Sequence, residues 1–171
     1  MSANKAIAII GGGAAGVFAA ICATQLAKQK GLSLDIRIFE ATGQYLKKVS
    51  ISGGGRCNVT HNCFDVKMFC QNYPRGSREL LSPMKQFQAK DTVEWFKNAG
   101  VHLVAQVEGR MFPDTNSSAT IIDCYLELVE QFHIKLVPNS TVKAITTLSP
   151  QYLQLQFWMT NLSSPTRFLW Q

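Results

Sequence analysis

Hydrophobic positions follow two rhythms along this chain. Ala6-Ile7-Ala8-Ile9-Ile10 is an unbroken apolar run that predicts a strand, and it breaks directly into Gly11-Gly12-Gly13-Ala14-Ala15-Gly16. From Ala15 to Gln29 the chain becomes alanine-rich, with Val17, Phe18, Ile21 and Leu26, which predicts a helix. Lys28 and Lys30 complement its negative C-terminal end, and Gly31 is placed to stop it. Ser33 to Phe39 predicts a second strand, followed at once by Glu40. The pattern is then irregular until Asp91, where Asp91-x-x-Glu94 predicts a capping box ahead of Val93, Trp95 and Phe96. Gly100 ends that short helix, and Val101 to Val107 alternates weakly, as an extended segment would. Asn116, Ser117 or Ser118 predicts the cap of a longer helix, in which Ile121, Tyr125, Leu128 and Phe132, with Ile122, Leu126 and Val129, keep a 3.6-residue period. Ile134 to Val137 and Thr141 to Thr147 predict strands joined by Pro138-Asn139-Ser140, and Tyr152 to Thr160 a third. A β-α-β opening followed by a helix, a parallel strand and antiparallel strands predicts a three-layer α/β dinucleotide-binding domain.

Composition narrows this picture. The chain has 171 residues and is 46% apolar, enough for one buried core, with one domain as the expectation. No residue from Ala6 to Ala27 is charged, which superficially suits a signal peptide or a membrane span; three consecutive glycines break such a helix. Five cysteines, Cys22, Cys57, Cys63, Cys70 and Cys124, are an odd number and fit free thiols in a reducing cytoplasm. Cys57, His61, Cys63 and Cys70 lie close together without a zinc spacing, so no metal site is predicted. Net charge is +6, and residues 44 to 90 carry eight basic side chains (Lys47, Lys48, Arg56, Lys67, Arg75, Arg78, Lys85, Lys90) against Asp65 and Glu79. That balance suits a phosphate-rich cofactor, an acidic substrate, nucleic acid, or a plain solvated surface. Without an interleaved aromatic platform or a known RNA motif, no specific nucleic-acid partner is predicted, and no membrane.

The first glycine cluster has the spacing Gly-x-Gly-x-x-Gly between a strand and a helix. Gly11 supplies a tight turn, Gly13 lets the backbone approach a pyrophosphate, and Gly16 packs helix on strand. Gly13, Ala14 and Ala15 would offer helix N-terminal N–H groups to the phosphates. Glu40 lies 24 positions past Gly16, near the ~20 expected for the acid that holds ribose hydroxyls. A carboxylate there repels a 2′-phosphate, which argues against NADP at this site and leaves NAD and FAD open.

The second cluster is Lys47-Lys48-Val49-Ser50-Ile51-Ser52-Gly53-Gly54-Gly55-Arg56-Cys57-Asn58-Val59-Thr60. Its glycines can reach φ > 0 and form an anion-binding nest. Arg56 can neutralise a phosphate or a flavin anion, and Asn58 can both donate and accept at a heterocycle edge. Cys57, beside an arginine, reads either as a redox thiol or as a small packing residue. His61, His102 and His133 stand in unrelated contexts, so no catalytic acid or base is assigned.

These segments together resemble one family. The glycine turn, Glu40, Lys48 with Ser52-Gly53-Gly54-Gly55-Arg56-Cys57-Asn58-Val59-Thr60, and Gly109-Arg110-Met111-Phe112-Pro113 look like the HI0933-like flavoproteins, the BaiN-type or aminoacetone oxidase-like FAD-dependent oxidoreductases. Asn72-Tyr73-Pro74-Arg75-Gly76 and Trp95 to Val101 resemble it too, over a match from about Lys5 to Ser149. The resemblance implies a Rossmann-like fold and FAD, with NAD(P)H as a candidate electron donor in full-length members. It implies that Gly11, Gly13, Ala14, Ala15 and Gly16 cradle the pyrophosphate and Glu40 the adenosine ribose. Lys48 and the cluster from Ser52 to Asn58 would approach the flavin, Val142 would contact adenine through its backbone, and Arg110 to Pro113 would support the flavin pocket or serve as core and turn. Family members continue into an Ala-Thr-Gly-Gly-like return segment, a substrate domain and a Gly-Asp segment, none of which is found here. Residues 1–149 are therefore expected to be the N-terminal part of an FAD-binding domain, with 150–171 a divergent tail and the substrate domain absent. An incomplete sheet of this kind is expected to self-associate.

Overall fold

The computed structural model describes residues 5–149, 152–158 and 166–169. In chain order its elements are β1 Lys5–Ile10, α1 Ala14–Gln29, β2 Leu34–Phe39, α2 Lys47–Ile51, a 3-10 turn Ser52–Gly54, β3 Thr60–His61, α3 Val66–Gln71, α4 Ser77–Gln86, α5 Ala89–Asn98, β4 Leu103–Ala105, β5 Arg110–Pro113, α6 Ser118–Gln131, β6 Lys135–Val137, β7 Val142–Ser149, β8 Tyr152–Phe157 and β9 Thr166–Leu169. They form two compact units, one from residues 1–48 and 125–171, the other from residues 49–124.

The first unit is a three-layer α/β arrangement. β1, β2 and β6 form a parallel sheet in the order β1-β2-β6, with Ile10 opposite Phe39 and Phe39 opposite Val137. Residue parity then assigns the faces. Ala6, Ala8, Phe39 and Val137 share one face and pack with Val142, Leu155 and Phe157 of the antiparallel sheet β7-β8-β9. The Phe39 and Phe157 rings lie 5.2 Å apart and tilted by 40°. On the opposite face stand Ile9, Ile36 and Ile38, the side taken by α1, whose Val17, Ala20 and Ile21 are fully buried. α1 ends as its sequence predicts: Gly31 takes φ +64, its N–H donates to the Lys28 carbonyl, and the Leu32 N–H donates to that of Ala27. The tail, expected to be divergent, contributes β8 and β9; Met159 and Thr160 of the predicted third strand lie outside the described residues.

The second unit builds a small antiparallel sheet, β3-β5-β4, around buried Met111, Phe112 and Pro113, and Ala89, Phe96 and Val101 are buried in the same unit. The stretch between Glu40 and Asp91 is not irregular: it holds α2, the 3-10 turn, β3, α3 and α4. α3 and α4 are short, and α4 buries no residue, so neither leaves an apolar stripe long enough to be read. The capping box of α5 sits three residues earlier than predicted. Gln88 is the N-cap, and its N–H donates to the Asp91 carboxylate at 2.8 Å, so Asp91 plays the third-position role and not the cap. For α6 the cap is Ser117, whose hydroxyl accepts from the Ala119 N–H at 3.3 Å. Among the described residues no helix is long and apolar enough to cross a membrane.

Candidate functional site

The first glycine cluster is locked from below and open above. The Gly11 N–H donates to the Phe39 carbonyl at 2.8 Å, tying the turn to the end of β2. Gly11 adopts φ +105, a conformation only glycine takes readily. A Cβ on Gly16 would meet the Gly11 carbonyl oxygen at 2.0 Å, so helix–strand packing demands glycine there. Gly13 differs from both. Its φ is −81°, ordinary for any residue, and a Cβ on it would meet nothing within 4 Å. Neither backbone strain nor packing forces glycine at position 13, although glycine suits an N-cap, and the space in front of it is open. Gly13 is also the N-cap of α1, with no side chain satisfying the first N–H groups of the helix, and Gly13, Ala14 and Ala15 are all exposed. This is a cradle that a side chain would fill, and it fits a pyrophosphate.

Glu40 stands beside that turn. One carboxylate oxygen accepts the Gly12 N–H at 2.8 Å; the other accepts the Thr42 N–H at 2.9 Å and the Thr42 hydroxyl at 3.0 Å. The Thr42 amide above all, and then the Gly12 amide, hold the Glu40 carboxyl below the usual carboxylate range against the opposing effect of burial. The backbone of Glu40 is anchored as well: its N–H donates to Val137, and its carbonyl accepts from buried Ser140. The parts of Thr42 and Ser140 in holding Glu40 were not legible, since short polar residues in loops carry no periodic signal. Val142 opens β7 opposite Phe157, and its side chain is packed into the core beside Phe39.

The second cluster lies in the other unit. Gly53, Gly54 and Gly55 take φ of +57, +70 and +85, and Cys57, without the freedom of glycine, takes +60. The Gly55 and Cys57 amides both donate to the Ser52 carbonyl, so these two are unavailable to an anion. The Ser118 N–H donates to the Gly55 carbonyl and its hydroxyl to that of Ser50, which fastens the loop to the start of α6. Arg56 reaches back over the cluster: its Nε donates to the Gly53 carbonyl at 3.1 Å, and its guanidinium lies 4.4 Å above the buried Phe112 ring. Phe112 and Pro113 are core residues. Cys57 is buried, and burial pushes its thiol above the ordinary value, the opposite of what a reactive thiolate needs. Lys48 and Asn58 are exposed. His61 donates through Nε2 to the Glu108 carbonyl at 2.9 Å, over a Gly109 whose Cβ would strike the ring. Among the described residues no group of three metal-ligating side chains is assembled.

The profile of the HI0933-like protein Rossmann domain matches residues 5–166. The chain belongs to this family. The match runs past Ser149 and takes in most of the tail. Within reach of this HI0933-like chain are a 3-dehydro-bile acid delta(4,6)-reductase from Clostridium scindens, 30% identical over 139 residues, and a ribosomal RNA dihydrouridine synthase from Escherichia coli K12, 24% identical over 137. These alignments cover 81% and 80% of the chain but 32% of each relative, so the chain spans about a third of the length of the curated relatives it matches. In three dimensions it is similar to the 3-ketosteroid-delta4-(5alpha)-dehydrogenase of Rhodococcus jostii RHA1, with a TM-score of 0.61 at 10% identity over 97% of this chain and 44% of that one. It is similar also to THI4 of Thermovibrio ammonificans, with a TM-score of 0.55 at 13% identity over 97% and 54%. At such identities the likeness is one of fold.

Proposed function

We propose that this chain is the FAD-binding portion of a flavin-dependent oxidoreductase, with Gly13, Ala14 and Ala15 on the pyrophosphate and Glu40 at the adenosine ribose. When bound, FAD supplies the redox chemistry, accepting or giving hydride at N5. The protein's part is to bind and orient: the α1 N-terminus offers its first N–H groups to the phosphates. The observation that carries this reading is Gly13, which stands at the uncapped N-terminus of α1 with open space in front of it, where a ligand can press against the backbone. The names of the two relatives support the oxidoreductase class, and since their substrates differ they support no particular substrate. NAD(P)H is the proposed electron donor for the whole protein. All five cysteines are free, which supports a reducing, cytoplasmic setting.

The test is FAD binding by fluorescence quenching, with the visible spectrum of the purified chain. Gly13→Val should fold normally and lose at least about tenfold in affinity, because its side chain would occupy the phosphate space. Unchanged affinity would mean that the turn is not a phosphate site.

A second reading rests on a different observation. Phe64, Tyr73 and Phe87 are exposed among Lys67, Arg75, Arg78, Lys85 and Lys90, which are also exposed, and the 24% relative is named for ribosomal RNA. If this segment serves only the cofactor or solvent, single-stranded RNA should bind weakly and be released at moderate salt. Sequence-selective binding that survives physiological salt would favour an RNA substrate.

A further inference from the structure

Glu40 is held by two neighbours, and they hold it differently. It follows β2 at the carboxyl end of the parallel sheet, the edge where ligands of open α/β sheets bind. One carboxylate oxygen accepts the Gly12 N–H at 2.8 Å, and a single bond of this kind leaves the group free to swing about it. The other oxygen accepts both the amide and the hydroxyl of Thr42, at 2.9 and 3.0 Å. That hydroxyl is itself aimed. The Gln44 N–H donates to it at 3.3 Å, and its one proton has two acceptors in reach, the Glu40 carboxylate at 3.0 Å and the Gln44 carbonyl at 3.2 Å. An ionised carboxylate is the stronger acceptor, so the proton goes to Glu40. Thr42 is exposed, and its hydroxyl therefore serves no core. Nor does the loop depend on it for its place, because the backbone is tied separately: the Ser140 N–H donates to the Glu40 carbonyl at 2.8 Å and the Asn139 N–H to the Thr42 carbonyl at 3.0 Å.

A glutamate free to sample rotamers has to be ordered when a ligand binds, and that ordering lowers affinity. We propose that Thr42 is a positioning residue for adenosine ribose binding, its hydroxyl fixing the Glu40 carboxylate in the orientation that receives a ribose hydroxyl. The inference rests on the dinucleotide reading above and adds to it a residue that acts through Glu40 and touches no ligand itself. The same hydroxyl leaves an electrostatic mark. The Thr42 amide above all, opposed by burial, and then the Gly12 amide, the Thr42 hydroxyl and the Ala41 amide set the Glu40 carboxyl below its ordinary value. Without the hydroxyl the carboxyl should titrate at a higher pH, and ribose binding should be lost at a higher pH with it. These donors are all neutral. Tyr45, the titratable side chain on which the Glu40 charge acts, is pushed by burial, and then by that charge, up to about 12, so it does not ionise in the acid range.

The test measures ADP binding by calorimetry across pH for the full chain and for Thr42→Val, Thr42→Ala and Thr42→Ser, each with Glu40 and with Glu40→Gln, on proteins shown to be folded by thermal unfolding. At pH 7 the valine and alanine variants should bind ADP about threefold to tenfold more weakly, and Thr42→Ser, which keeps a hydroxyl, should recover most of that loss. The acid limb of binding should move to higher pH in the first two and stay in place in the third; protonation of the adenine is common to all and drops out of the comparison. Beside Glu40→Gln, removing the hydroxyl should weaken ADP no further. Undiminished affinity in the valine and alanine variants, an unmoved acid limb, or a loss that persists beside Glu40→Gln would each refute the role of Thr42 while the dinucleotide site stands. Should Glu40→Gln alone leave ADP affinity unchanged, the ribose role of Glu40 fails and that of Thr42 with it. Should the unsubstituted chain bind neither ADP nor FAD, the dinucleotide reading itself falls.

Discussion

Single residues in the first glycine cluster divide by what forces their identity. Gly11 is set by its φ, Gly16 by a carbonyl 2.0 Å from where its Cβ would stand, and Gly13 by neither. All three were legible as glycines of a Gly-x-Gly-x-x-Gly turn, but only the tertiary structure separates the two that the fold requires from the one that it leaves open. The position of Glu40 at the end of the second strand was legible from its spacing; its bonds to Gly12 and Thr42 were not, because they join residues through a loop with no repeating pattern. Those bonds make Glu40 a stabilising group as well. Its folded pKa lies below the ordinary value, so its contribution is present above roughly pH 4.3 and is lost as pH falls through the folded pKa. Glu40→Gln should lower the urea midpoint at pH 7, and its gap from the unsubstituted chain should close as pH falls through the lowered folded pKa of Glu40. A gap that stays constant with pH would show that the charge of Glu40 does not hold the turn.

Helix ends are the features that local sequence encodes best, and their exceptions are informative. α1 and α5 both stop at a glycine with positive φ, Gly31 and Gly100, and each is closed by the same pair of backbone hydrogen bonds. α6 uses the same closure, with His133 donating to Glu130 and Ile134 to Val129, but His133 has no glycine freedom and sits at φ +55. His133 is exposed, so its side chain contributes no packing to offset that conformation. His133→Gly should stabilise the chain by about 0.5–1 kcal/mol, the left-handed penalty less the extra entropy of glycine. Equilibrium urea unfolding would read this directly, and a lower midpoint would reveal a stabilising role for the imidazole. α3 and α4 escaped the sequence because their amphipathic signal is short, and α4 also carries Pro83 inside it.

At the scale of the molecule, the parallel sheet is covered on its faces but leaves β1 as an edge strand among the described residues. β1 is an apolar strand, yet among the described residues it pairs only with β2, its Ala6 to Ile9 are half-buried, and Ile10 is 49% exposed. An apolar strand with an unpaired edge is a template for further pairing. The 171-residue chain in isolation should therefore associate as its concentration rises, which light scattering across a dilution series would measure. A strict monomer with one sharp thermal transition would mean that β1 is covered in another way. The expectation of a single domain meets a chain that divides into two compact units.

What the sequence determined alone was whatever is written in consecutive residues: the β1 run, the glycine turn, the span of α1, the α6 period, and the glycine-rich string that marks the HI0933-like family. Each of these rests on local backbone preference or on one-dimensional periodicity, so neighbours in the chain suffice to specify it. Tertiary structure decided which distant groups meet. It set Tyr45 against Gly12, Arg56 over Phe112, Ser118 against the second glycine loop, and the β7-β8-β9 sheet on the Phe39 face. These contacts depend on hydrophobic burial and hydrogen-bond completion across many residues of separation, and such forces fix partners in space while leaving no repeating mark along the chain.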